Sequence, residues 1–367
     1  MIEEVTALTP KILARYDEII DVRSPAEFAE DHAPGAVNLP VLNNEQRVEV
    51  GTLYVQKSKF LASRVGAAIV SRNIADHLEG HLADKPGGYA PLIYCWRGGN
   101  RSGAMATILS RVGWRVGLLS GGYKTYRKRV TTCLYGAALP FQLVLLTGAT
   151  GVGKTALLRR LAQIGIQIID LEALAAHRGS LFGGLAGRAQ PSQKLFESRL
   201  LAEIDRLDPG RPVVMEAESS RIGQLMTPPA LWQAMQTAPR LELEAPVAVR
   251  AARLCDDYRD LAADPSLLTP LIDRLPRHHS HAKLQYWRDL ARQGQTLELA
   301  LDLMQAHYDP AYRRSETLNP SRPSETFHLD ALDAASLHQV AMSVAARIEP
   351  LQAPSPSAVR AKPPPDL

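Results

Sequence analysis

Residues Phe141 to Leu146 form a largely apolar run that feeds the turn Gly148-Ala149-Thr150-Gly151-Val152-Gly153-Lys154-Thr155, and a helical pattern from Thr155 to Leu161 follows at once. No other feature constrains the fold as tightly. A short apolar strand entering a glycine-rich turn and then a helix opens a strand–helix–strand unit, and such units build parallel sheets. Ile166 to Ile169 and Pro212 to Met215 read as the next strands, each with acidic residues at its C-terminal end. Gly148, Gly153, Lys154 and Thr155 fit the pattern G-x-x-x-x-G-K-[ST]. In that pattern the glycines, here Gly148, Gly151 and Gly153, let backbone amides approach phosphate oxygens, while the lysine adds a mobile positive charge. Thr155 can hold Mg²⁺, and of the nearby acids Asp170, Glu172, Glu216 and Glu218, Asp170 and Glu216 are taken with it as the metal set. Such a loop selects a diphosphate or longer group. A nucleotide is the default ligand, but any diphosphate ester offers similar oxygens.

A second turn carries a different chemistry. Leu92-Ile93-Tyr94 reads as a buried strand that delivers Cys95 into Trp96-Arg97-Gly98-Gly99-Asn100-Arg101-Ser102, and a small-residue helix begins at Gly103. Amides at a helix N-terminus and the guanidinium groups of Arg97 and Arg101 both favour negative charge, so the Cys95 thiol is expected to ionise easily. The same cradle would bind a tetrahedral oxyanion. The form C-x5-R-[ST] is shared by rhodanese-like sulfurtransferases and cysteine-dependent phosphatases. A phosphatase also needs a general acid, and no candidate stands out. Asp21-Val22-Arg23 with Glu27-Phe28, then His32-Ala33-Pro34-Gly35-Ala36-Val37-Asn38, and Gly121-Gly122-Tyr123 further on, are similar to rhodanese-like domains. Ordinary rhodanese loops are one residue shorter, so this loop should accept a larger anion than a lone sulfur. His32 is expected to be structural, and Cys133 and Cys255 to be inert core thiols.

The chain of 367 residues suggests about two domains. The expected architecture is α/β: a rhodanese-like domain over 1–135, a P-loop NTPase-like domain with a mostly parallel sheet over 136–350, and a disordered Pro-rich tail over 351–367. Glu18 to Val22, Ala36 to Pro40 and Val116 to Leu119 are further strands of the first domain, and Ser24 with Glu27 forms a capping box. Leu297, Ala300, Leu301, Met304 and Tyr308 repeat at helical spacing, and Thr326 to Leu329 with an Ala-rich helix closes the second domain. No stretch reaches the roughly 18 apolar residues that span a membrane. The N-terminus lacks a signal-peptide pattern, and three scattered cysteines exclude a disulfide framework or a zinc site. A cytoplasmic monomer is expected.

A net charge of +4 permits an RNA partner without demanding one. Lys124, Arg127, Lys128 and Arg129, interleaved with Tyr123 and Tyr126, form one candidate RNA-binding stretch. Arg274 to Arg292, with Arg277, Lys283, Tyr286, Trp287 and Arg288, forms another. A solvated helix face explains either equally well. His278, His279 and His281 read as a solvated basic patch.

Together these residues resemble the tRNA 2-selenouridine synthase family, which joins a rhodanese-like domain to a P-loop domain. Linking segments carry the resemblance as well: Val50 to Tyr54, His177 to Ser180, Gln190 to Lys194, Glu216 to Ser219, and His307-Tyr308-Asp309-Pro310 with Tyr312 to Ser315. The segment Gln56 to Ala62 is less typical. The resemblance implies two steps on 2-thiouridine at the wobble position of tRNAs for Lys, Glu and Gln. Geranyl diphosphate first alkylates the sulfur; selenophosphate then supplies selenium, and geranyl thiol leaves. It implies that Lys154 and a Thr155-bound Mg²⁺ hold the diphosphate. It further implies that Arg97 and Arg101 bind selenophosphate, that Cys95 carries selenium as an S-selanylcysteine, and that a selenophosphate-supplying enzyme is a partner. The competing expectations are a sulfur carrier coupled to nucleotide hydrolysis and a nucleotide-regulated RNA-binding module.

Overall fold

The computed structural model describes residues 1–179, 183–184, 187–259, 264–275, 279–317 and 325–348. The Pro-rich tail, Arg277 and His278 lie outside the described residues. The chain divides into two compact units. One comprises Met1–Ala137 with Pro191–Asp205, the other Ala138–Gln190 with the chain from Arg206 onward.

The first unit is built on a five-stranded parallel sheet of β1 (Ile2–Val5), β2 (Glu18–Asp21), β3 (Ala36–Asn38), β4 (Pro91–Tyr94) and β5 (Val116–Leu119), in the order β1-β5-β4-β2-β3. The edge strand β1 has no counterpart among the expected strands. Its run Ile2-Glu3-Glu4-Val5 carries only two apolar residues, and it pairs on one side only. Between β3 and β4 lie α3 (Asn44–Gln56) and α4 (Lys59–Glu79). Ser58 starts α4 by accepting the Leu61 amide on its hydroxyl. Ala62, Gly66, Ile69, Val70 and Ile74 form its buried stripe. Ile69, Val70 and Ile74 of that stripe meet Ile20 and Ile93 of the sheet, and Met105, Ala106 and Leu109 of α5 (Asn100–Val112), in one core. Full burial contributes about 1.5–3 kcal/mol for each large side chain. The expected capping box is present at α2 (Pro25–Glu30).

After β5 come α6 (Tyr123–Thr131) and a π-turn, Thr132–Gly136. The helix Gln193–Ile204, expected in the second domain, joins this unit instead. Its Glu197 receives Arg127 and the Tyr135 hydroxyl, and Asp205 at its end receives Arg129. Helical periodicity shows that such a segment has an apolar face but not which partner covers it.

The second unit has its own five-stranded parallel sheet: β6 (Leu143–Thr147), β7 (Gln167–Ile169), β8 (Val213–Glu216), β11 (Arg240–Glu244) and β12 (Glu325–His328), ordered β12-β11-β6-β8-β7. The short antiparallel pair β9 (Arg221–Ile222) and β10 (Leu225–Met226) stands apart. Central β6 is buried throughout. It feeds α7 (Lys154–Gln163), whose Leu157, Leu158 and Leu161 pack with Leu337, Ala341, Val344 and Ile348 of the last helix, Ala334–Ile348. A helical group completes the unit: Val247–Asp257, Pro265–Ile272, His281–Arg292 and Thr296–Leu303, continued by a π-turn over Met304–Tyr308 and the helix Asp309–Thr317. Leu299, Ala300, Leu303 and Met304 face inward there, while Leu297, counted in the expected stripe, is half exposed. No helix among the described residues is long and apolar enough to cross a membrane.

Candidate functional site

In the first unit the fully buried β4 ends directly at Cys95, which is 3% exposed. The turn that follows runs into α5, with Gly99 at its N-cap position. The Gly99 amide donates to Sγ across 3.3 Å and the Ser102 hydroxyl across 3.1 Å. Burial opposes ionisation of the thiol. Hydrogen bonds from the Ser102 hydroxyl and from the Ser102, Arg97 and Gly99 amides outweigh it, and the pKa lies below the ordinary cysteine value. The expected direction is therefore present, and the expected amides produce it together with the Ser102 hydroxyl rather than the two guanidinium groups. Arg101 donates both guanidinium arms to Glu27, at 2.7 and 3.2 Å, and Arg97 is exposed. Sequence reasoning did not single out Ser102, although it is the last letter of the C-x5-R-[ST] form.

The loop is held from beneath. The Tyr123 amide donates to the Cys95 carbonyl at 2.7 Å. A Cβ at Gly122 (φ +60°) would lie 2.2 Å from that same oxygen, so only glycine fits. Arg23, 1% exposed, pairs with Asp21 through bonds of 2.6 and 3.0 Å and donates to the Asp31 carbonyl at 2.6 Å. Its guanidinium lies 4.1 Å from the Tyr123 ring centre, and the Tyr123 hydroxyl donates to Asp31 at 2.6 Å. His32 is structural, stacked on Phe28 at 3.9 Å. Burial pushes the Cys133 and Cys255 thiols up, but both are only partly buried and neither is a core cysteine.

The structure divides the residues of both expected RNA-binding stretches into exposed and paired or buried ones. Lys124 and Lys128 are exposed on α6, but Arg127 is paired with Glu197 and Asp31, and Arg129 with Asp205. In the other stretch Trp287 is completely buried, with its indole N–H on Asp302, and Arg288 pairs with Asp273. A buried indole cannot stack on a base. His279 packs edge-on against the Trp287 ring, at 4.8 Å, rather than standing in a solvated patch.

In the second unit the glycine loop leaves central β6 and enters α7. Gly148 has φ +137°, and a Cβ there would meet the Leu243 carbonyl at 2.5 Å. Lys154 donates from Nζ to the Gly148 carbonyl at 2.8 Å. A cleft of about 560 Å³ opens over Gly151, Lys154, Thr155, Arg159, His177 and Glu218. Arg250, 6% exposed, clamps the loop from behind. It donates to the Thr150 carbonyl at 3.0 Å and forms a two-pronged pair with Asp309 at 2.9 and 2.7 Å. Asp309 belongs to the His307-Tyr308-Asp309-Pro310 segment, whose place in the loop's support was not legible from sequence.

The carboxylate set differs from the expected pairing of Asp170 with Glu216. Glu172, Glu216 and Glu218 each bring an oxygen within 4.8 Å of the others. Asp170 instead accepts the Ala173 amide at 2.8 Å as a helix cap and faces Arg159 at 3.6 Å. Thr155 donates to Glu172 at 3.2 Å. Both oxygens of Glu216 are buried and make no hydrogen bond among the described residues. Burial, with repulsion from neighbouring carboxylates, raises Glu172 and Glu216 above the usual range and pushes Glu218 up to about 7. Buried carboxylate oxygens without donors, grouped beside a phosphate loop, suit a hard divalent cation.

Two family models match the sequence. The tRNA 2-selenouridine synthase AAA domain covers residues 141–266 and the Rhodanese-like domain residues 6–129. Relatives bearing the name tRNA 2-selenouridine synthase include one from Nitrosomonas europaea, 35% identical over 65% of this chain and 63% of the relative. One from Chromohalobacter salexigens is 37% identical over 69% and 68%, and one from Verminephrobacter eiseniae is 34% identical over 83% and 90%. The chain thus spans somewhat less than two thirds of the first of these and nine tenths of the last. With both domains matched in order and one relative aligned almost end to end, the chain belongs to the tRNA 2-selenouridine synthase family.

Proposed function

We propose that this protein replaces the sulfur of 2-thiouridine by selenium at the wobble position of tRNAs for Lys, Glu and Gln. In the first step the thiouridine sulfur attacks C1 of geranyl diphosphate; the S–C bond forms as the C–O bond breaks, and diphosphate leaves. In the second, the selenium of selenophosphate attacks C2; the C–Se bond forms as the C–S bond breaks and geranyl thiol departs, and water cleaves the Se–P bond to release phosphate. The observation that carries this reading is the coexistence, in one chain, of an acidified cysteine in an amide-lined loop and a diphosphate-type loop beside grouped carboxylates. Each step needs one of them.

Lys154 and the loop amides bind the diphosphate and stabilise the charge it gains on leaving. Thr155 and Glu216, with Glu172 and Glu218, would hold Mg²⁺, which when bound neutralises diphosphate charge. Cys95 supplies the thiolate on which selenium transfer depends, and Arg97 and Arg101 offer positive charge to selenophosphate. Three free thiols suit the reducing cytoplasm, where a selenophosphate-supplying enzyme would serve as partner.

The test is mass spectrometry of the wobble nucleoside after incubation with 2-thiouridine tRNA, geranyl diphosphate, Mg²⁺ and selenophosphate, each small molecule being omitted in turn. A geranyl adduct without selenophosphate and 2-selenouridine with it are expected. Unmodified 2-thiouridine throughout, with tRNA bound, would turn the reading toward nucleotide-coupled sulfur transfer.

A further inference from the structure

Next to the phosphate cleft lies a second, smaller cavity of about 70 Å³. The two share Thr150, Leu254, Tyr258 and Tyr308 in their walls, so one begins where the other ends. Thr150 belongs to the phosphate loop itself. Beyond these residues the walls are Cys255, Leu268, Thr296, Leu299, Ala300 and Leu303. Leu268, Leu299 and Leu303 also belong to the buried cluster around Trp287 and Leu290. The cavity is thus an apolar slot beside a diphosphate cradle.

We infer that this slot takes the hydrocarbon chain of a diphosphate ester whose phosphates sit in the glycine loop. The inference rests on the proposed geranyl transfer and assigns the residues that recognise the geranyl group. A nucleobase is a poor occupant, because its ring nitrogens and carbonyls would be buried against leucines without hydrogen-bond partners. A flexible chain loses only water on entering. Each methylene buried strengthens binding about fourfold (~0.8 kcal/mol). Leu299, Leu303 and Leu268 would meet the distal end of the chain, and Leu254 the carbons nearest the diphosphate.

Cys255 gives a readout that needs no substitution. Alkylation by a neutral maleimide, followed by peptide mass spectrometry, separates its labelling from that of Cys95 and Cys133. Geranyl diphosphate should protect Cys255, whereas inorganic diphosphate and ADP should leave it reactive. By calorimetry, geranyl diphosphate should bind about tenfold or more tightly than inorganic diphosphate. Cys255→Trp and Thr296→Trp, made separately at half-buried positions, should abolish that advantage while inorganic diphosphate binds as in the wild type, which also reports an intact loop. Equal affinities for the two diphosphates, or geranyl diphosphate bound with Cys255 labelled at its unprotected rate, would overturn the inference. If Cys255 is protected but no geranylated nucleoside forms, the slot stands and the proposed reaction falls. If the geranylated nucleoside forms equally well in both tryptophan variants, the reaction stands and the slot falls.

Discussion

The hydroxyl of Ser102 donates to Sγ of Cys95 across 3.1 Å, from the first turn of the helix that the cysteine loop enters. Hydrogen bonds to a charged acceptor stabilise it by about 1.5–3 kcal/mol, and one pKa unit corresponds to about 1.4 kcal/mol. Ser102→Ala should therefore raise the Cys95 pKa by about one unit. The pH dependence of iodoacetamide labelling at Cys95 measures this directly. An unchanged profile would assign the low pKa to the amides alone.

Glu27 both caps α2 through the Ser24 amide and holds Arg101. Burial works against its charge, but the Arg101 pairing prevails and lowers its pKa. A lowered carboxyl pKa gives stability that is present above the unfolded value, about 4.3, and is lost as pH falls through the folded value. Glu27→Gln should flatten thermal stability across that acid window and reduce selenation while sparing geranylation. A loss of both steps would mean that the fold, not Arg101, had been disturbed.

The two loops should separate genetically. Cys95→Ala is expected to stop at the geranylated nucleoside, and Lys154→Ala to yield none. Nucleoside mass spectrometry distinguishes them, and the reverse pattern would exchange the roles of the two units.

The carboxylates Glu172, Glu216 and Glu218 carry raised pKa values, so the sign of their effect is opposite to that of Glu27. Their contribution is full below about 4.3 and fades as pH rises through the folded values, about 7 for Glu218. In EDTA the melting temperature should fall across this interval, and Mg²⁺ should restore most at the upper end, where the carboxylates ionise. Glu216→Gln should remove the Mg²⁺ effect. Melting curves with identical slopes in EDTA and Mg²⁺ would exclude a cation at this cluster.

On α6 the four basic residues should divide into two classes. Lys124→Ala and Lys128→Ala, at exposed positions, should weaken tRNA binding and reduce its salt dependence without changing stability. Arg127→Ala should instead destabilise by about 3 kcal/mol, because Glu197, 1% exposed, loses its counter-charge. Denaturant titration and filter binding at several salt concentrations tell these apart.

Sequence patterns revealed the parts of the molecule that obey local rules. Strand, glycine turn and helix at 141–161 needed nothing beyond their own residues, and neither did the capping box at Ser24. Long-range relationships were hidden. Arg127 and Arg129 looked like RNA ligands because their acidic partners lie some 70 residues away, on a helix that sequence reasoning gave to the other domain. Trp287 looked available for stacking because burial is a property of the packed helices, not of its neighbours in sequence. Glu172 and Glu218 were recognised as candidates near the loop, but which carboxylates converge depended on Asp170 turning away to cap a helix.

The Arg250 clamp has a consequence for how this protein can be cut. Its two-pronged grip on Asp309 ties the phosphate loop to a residue more than 150 positions downstream. A fragment ending before Asp309 would keep every letter of the glycine motif, yet leave a buried guanidinium without its counter-ion directly behind Thr150. The motif is contiguous, but the smallest autonomous piece of chain able to present it is not short.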